Sequence, residues 1–92
     1  MIRSFRSKTL ERFAATGNPK GLSVQKPERI TRLLKALASA RSPMSLDLPG
    51  LRFHKLKGKD RNRFAVWVSE IRRMTFAWSG DDAIDVDLED YH

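Results

Sequence analysis

The chain is 92 residues long, carries a formal net charge of +7 and contains no cysteine. That length suits one domain, residues 1–92, with a single core and little surplus stability. Disulfides and thiolate metal sites are excluded, which fits a reducing cytoplasm, and the apolar runs are too short to span a bilayer. The opening Met1-Ile2-Arg3-Ser4-Phe5-Arg6 lacks the apolar stretch of a secretory signal.

Ile2-Arg3-Ser4-Phe5 alternates as a short opening strand would. Ser7 then suits the cap of a helix to about Thr16, with Leu10, Phe13 and Ala14 on one face and Gly17 as its stop. Gly17 to Gly21, which holds Asn18 and Pro19, reads as a loop. A second helix starts at Pro27, pairs Glu28 with Arg32, and buries Ile30, Leu33, Leu34 and Leu37. It should stop near Ala40, before Ser42-Pro43.

Beyond Leu48-Pro49-Gly50 the apolar period changes to two. Leu51, Phe53 and Lys55 share one face of a first strand, opposite Arg52, His54 and Leu56. Phe64, Val66 and Val68 define a second strand, and Met74, Phe76 and Trp78 a third. After a hairpin turn at Ser79-Gly80-Asp81-Asp82, Ile84, Val86 and Leu88 oppose Asp85, Asp87 and Glu89 on a fourth. The expected class is α+β, with two N-terminal helices packed on a mostly antiparallel sheet of four to five strands.

Charge is unevenly spread. Residues 1–42 have a balance of +8, residues 43–73 of +5, and residues 74–92 hold six acids with no Lys or Arg. The basic body points to a polyanionic partner, most commonly nucleic acid. The acids belong to the polar face of a strand. Asp85 and Asp87 stand two residues apart with no third ligand, so no metal and no cofactor is expected.

Two segments carry candidate chemistry. Asp90-Tyr91-His92 sets a carboxylate, a phenol and an imidazole in a row, and Phe53-His54-Lys55-Leu56-Lys57-Gly58 holds the other histidine with two lysines. An imidazole exchanges protons near neutral pH, and an adjacent carboxylate tunes or orients it. The meander places the ends of these segments, together with Arg72-Arg73, at one rim of the sheet.

With Met1-Ile2-Arg3-Ser4-Phe5 at the start, His54-Lys55-Leu56-Lys57-Gly58, Arg73-Met74-Thr75-Phe76 and the closing Glu89-Asp90-Tyr91-His92, the chain resembles the HigB toxins of the RelE/ParE superfamily over essentially its whole length. The resemblance implies a RelE-like microbial RNase fold and the toxin of a type II toxin–antitoxin system. Its activity would be ribosome-dependent endonucleolytic cutting of messenger RNA at A-site codons of the 70S ribosome. It also implies neutralisation by a HigA-type helix-turn-helix antitoxin, with operator DNA bound only through that partner. By position, His54, Lys57, Arg73, Asp90, Tyr91 and His92 correspond to the family's active-site residues. Some relatives carry a further arginine where this chain has Trp67, Val68 and Ser69; Arg72 is adjacent but should face away from Arg73.

Metal-free RNA cleavage needs a base for the 2′-hydroxyl, cations for the pentacovalent transition state, and an acid for the 5′-oxygen. His54 and His92 both qualify for proton transfer. Asp90 can act as base or orient an imidazole, Lys57 and Arg73 suit the phosphorane charge, and Tyr91 can stack or donate a hydrogen bond. Lys55, Lys59, Arg61, Arg63 and Arg72 are expected to grip RNA phosphates of the message or ribosome. Two other readings share the basic composition: a ParE-like toxin acting on DNA gyrase, and a non-catalytic RNA-binding module.

Overall fold

The computed structural model describes residues 1–90. Helix α1 spans Lys8–Thr16 and is set by its ends: the Ser7 hydroxyl accepts from the Leu10 N–H at 3.1 Å. Gly17, at φ 76°, turns back so that its N–H meets the Phe13 carbonyl at 2.8 Å, a left-handed stop that favours glycine. Leu10 and Phe13 are buried; Ala14, expected on the same face, is exposed. The spacing from Leu10 to Ala14 is helical, but the sheet covers only the narrower stripe.

Helix α2, Pro27–Ser39, buries Ile30, Leu33, Leu34 and Leu37 as expected. Among the described residues Glu28 and Arg32 are not ion-paired, in keeping with the small worth of an exposed i,i+4 pair. Ala40 is already extended at ψ 140°, and a short 3-10 turn at Pro43–Leu46 sinks Leu46 into the core.

The sheet is an antiparallel meander of β1 (His54–Lys55), β2 (Arg63–Trp67), β3 (Arg72–Ser79) and β4 (Asp82–Asp90), in that spatial order. Its helix-facing side contributes Val66, Met74, Phe76 and Val86 to one core with Leu10, Phe13 and the α2 stripe. Phe53, Phe64 and Phe76 stack across three chain segments with centroids 5.7 Å apart at each step. Trp78 meets Phe76 edge-on at 6.3 Å, and its indole N–H donates to the Gly80 carbonyl.

Two bulges disturb the simple alternation. The first strand was expected to run from Leu51 to Leu56 but pairs only at His54 and Lys55. Arg52 has φ 49°, and the Trp67 N–H bonds to the Leu51 carbonyl at 2.7 Å, which accommodates one extra residue. On β4, Ala77 pairs with Ile84 but Thr75 with Asp87, so two steps on β3 match three on β4. Asp85, at φ 50°, is the extra residue. It shifts the phase: Ala83 and Val86 are both fully buried, while Ile84, expected to share a face with Val86, is only half-buried.

The N-terminal segment does not form a fifth strand. It runs parallel to β4 and makes two isolated bridges, Ile2 with Ala83 and Phe5 with Val86, one on either side of the Asp85 bulge. The Ser4 hydroxyl accepts from the Asp85 N–H at 2.9 Å, so the bulge and the segment secure each other. Arg3 clasps Asp82 at 2.8 Å, and its hydrogen bond holds that carboxyl below the usual carboxylate range. Among the described residues no helix is long and apolar enough to cross a membrane.

Candidate active site

Cross-strand partners point to the same side of a sheet, so the register assigns each candidate a face. On the side away from the helices, His54 of β1, Ala65 of β2, Thr75 of β3 and Asp87 of β4 form one row. The next row holds Trp67, Arg73 and Glu89. His54 and Arg73 therefore share a face, with two strand spacings of about 10 Å between β1 and β3. The His54 Nδ1 lies 2.9 Å from the Arg52 carbonyl, which can only accept, so Nδ1 carries the proton. In the neutral ring Nε2 is then the acceptor, on an exposed side chain.

Arg73 is held by its neighbours. Its Nη2 lies 3.5 Å from the Glu89 Oε1, directly across the β3–β4 pair. Glu89 also accepts from the Thr75 hydroxyl, and Thr75 in turn accepts from Arg63 Nη2 at 2.8 Å. The same Arg63 Nη2 donates to the Asp85 carbonyl at 2.8 Å. A continuous chain of hydrogen bonds thus runs from the Asp85 bulge through Arg63, Thr75 and Glu89 to Arg73.

Arg63 was expected among the RNA-gripping cations of an exposed loop. Instead it opens β2 with only 5% of its surface exposed, facing a fully buried Thr75. Burial is the main cause lowering its pKa, and Arg6 adds to it; Glu89, Asp87 and Asp85 oppose the shift. It is a structural cation under the site. Lys55, Lys57, Lys59 and Arg61 do lie exposed around the β1–β2 connection, with Lys57 just before a 3-10 turn at Gly58–Asp60.

Asp90 and Arg72 pair across β3 and β4 and face the opposite way from Arg73 and Glu89. The Arg72 Nε and Asp90 Oδ1 atoms are 3.0 Å apart. Arg72, expected to touch RNA, is thus half-buried and engaged with a carboxylate, and Asp90 is not brought beside His54 or Arg73. Tyr91 and His92 lie outside the described residues. Among the described residues no group of three His, Cys, Asp or Glu side chains converges on a point. Asp85 bonds Ser4, and Asp87 accepts from the Leu88 N–H.

Thr75 and Glu89 were not anticipated as site residues, although the spacing of Arg73 and Thr75 puts both on one strand face. Glu89 needed the β4 register, which the Asp85 bulge sets.

The family described as RelE-like toxin of type II toxin–antitoxin system HigB matches residues 3–92. Endoribonuclease HigB of Proteus vulgaris is 32% identical over 92 residues, covering 100% of each chain. With a family match over residues 3–92 and a full-length relative at 32% identity, the chain belongs to the HigB-like, RelE-like toxins of type II toxin–antitoxin systems.

Proposed function

We propose that this toxin is a ribosome-dependent endoribonuclease that cuts messenger RNA in the A site without a metal ion. The observation that carries the reading is the shared face of His54 and Arg73, at a sheet end whose last strand leads into Asp90-Tyr91-His92. Its full-length relative's name, Endoribonuclease HigB, supports the same chemistry.

In this reaction the 2′-hydroxyl attacks the adjacent phosphorus, the bond to the 5′-oxygen breaks, and a 2′,3′-cyclic phosphate remains. His54, whose Nε2 is free to accept, takes the 2′-hydroxyl proton. His92 returns a proton to the 5′-oxygen. Arg73 and Lys57 stabilise the phosphorane, Arg73 doing so from a position fixed by Glu89. Tyr91 orients the nucleotide. Asp90, clasped by Arg72, anchors the end of β4 from which Tyr91 and His92 follow.

Membership of a type II toxin–antitoxin family implies an antitoxin partner. A HigA-type helix-turn-helix antitoxin, a cytoplasmic location and contacts of Lys55, Lys59 and Arg61 with ribosomal RNA complete the reading. Incubating purified protein with messenger RNA, with and without translating ribosomes, tests it. Codon-phased cuts only with ribosomes are expected; growth arrest with intact RNA and inhibited gyrase would favour the ParE-like alternative.

A further inference from the structure

Trp67 sits directly across the β2–β3 pair from Arg73, and two further guanidinium groups lie over its ring. Arg29, from the first turn of α2, is 5.1 Å from the ring centroid, and Arg52, from the β1 bulge, is 5.3 Å away. Two arginines from distant parts of the chain therefore lie over one indole, with Arg73 on the neighbouring strand. Arg73 is balanced by Glu89. Among the described residues neither Arg29 nor Arg52 is ion-paired with a carboxylate.

Like charges in such proximity repel unless something offsets them. The ring face supplies part of the offset through cation–π attraction. The Arg29 Nη1 also donates to the Val68 carbonyl at 2.7 Å, which fixes its position. Arg52 is different: its guanidinium makes no hydrogen bond or ion pair among the described residues, and it is exposed. Arg29 and Trp67 also line a cleft of about 570 Å³ between the start of α2 and the β2–β3 turn. There Lys26 joins Arg29 opposite one acid, Glu70, while Arg72 on the same wall is already paired with Asp90. Room, a preset cation and an aromatic wall thus occur together at Arg29, with Arg52 over the same ring and outside the cleft's lining.

We propose that Arg29 and Arg52, positioned by Trp67, form a phosphate-binding subsite that holds an RNA phosphodiester flanking the bond to be cut. The phosphodiester belongs either to the message or to ribosomal RNA. The inference rests on the RNA target of the reading above, though not on cleavage itself. Trp67 is a positioning residue: cation–π attraction to its ring restrains two long, flexible side chains.

Salt dependence of binding tests this. One arm follows a 2′-O-methyl oligoribonucleotide, which lacks the attacking hydroxyl, by fluorescence anisotropy; the other follows vacant 70S ribosomes by co-sedimentation. Arg52→Gln and Arg29→Gln should each make the slope of log K against log salt shallower by about 0.7, the change for one single-strand phosphate contact. The arm that shows the change identifies the RNA. Trp67→Leu should also flatten the slope at unchanged net charge, and Trp67→Phe should restore it. The proposal is overturned if the arginine variants keep the wild-type slope in both arms, if Lys20→Gln flattens it equally, or if wild type binds neither RNA. Altered slopes in a protein that never cuts RNA would leave the subsite standing and remove the nuclease.

Discussion

Arg73→Ala is expected to lower single-turnover RNA cleavage by about 10²–10³-fold, the loss seen when one preorganised donor to a developing anion is removed. The guanidinium is held in place before substrate arrives. Glu89 lies across the strand pair from it, and Thr75 hydrogen-bonds the second oxygen of that carboxylate. Arg73→Lys keeps the charge but not the planar fork, so it should recover only part of the rate. Quench-flow measurement on ribosomes programmed with a defined codon, at saturating toxin, separates this loss from weakened binding. Cleavage by Arg73→Ala within threefold of wild type would remove Arg73 from the transition state.

The second large effect concerns stability. Arg63→Ala should destabilise the fold by about 3 kcal/mol, because it strips a charged donor from one buried and one half-buried acceptor at once. Those acceptors are the Thr75 hydroxyl and the Asp85 carbonyl, each 2.8 Å from Nη2. For a chain of this size, that corresponds to a fall in Tm of roughly 15 °C. Arg61→Ala, two residues earlier on the exposed connection, should shift Tm by no more than about 2 °C. Thermal unfolding followed by circular dichroism compares the two. Equal shifts would mean that the hydrogen-bond chain beneath the site contributes nothing to folding.

These two arginines show how much of the molecule was legible beforehand. The helices were readable because their signals are local. Ser7 and Gly17 mark the ends of α1, and four apolar residues at helical spacing mark the buried stripe of α2. The hairpin between β3 and β4 was equally plain from Gly80 beside paired acids. Face assignments were harder, because a one-residue bulge inverts every later position on a strand. Arg52 is of a type that rarely takes positive φ, and Asp85, of a type that takes it more often, sits in an alternating strand pattern that gives no sign of it, yet both adopt it. The Asp85 bulge is stabilised by Ser4, 81 positions away in sequence, and by Arg63, a contact that no window along the chain can anticipate.

Part of the candidate site was legible for the same reason that its faces were not. The His54-to-Lys57 segment and Arg72-Arg73 stood out by residue type, the resemblance singled out His54, Lys57 and Arg73 within them, and the register puts His54 and Arg73 on one side. Arg63 looked like its neighbours Lys59 and Arg61, in a run of alternate basic residues. Only the start of β2 at Arg63 turns that side chain inward. Asp90 stands next to Glu89 in sequence and therefore across the sheet from it in space, beside Arg72 rather than Arg73.

The most direct test of the account is to map cuts by primer extension on messenger RNA translated in the presence of either the wild-type protein or a chain ending at Tyr91. Codon-phased cuts by the wild type that vanish when His92 is removed are the predicted result. Identical cuts by both proteins, or none by wild type at concentrations that still arrest growth, would contradict it.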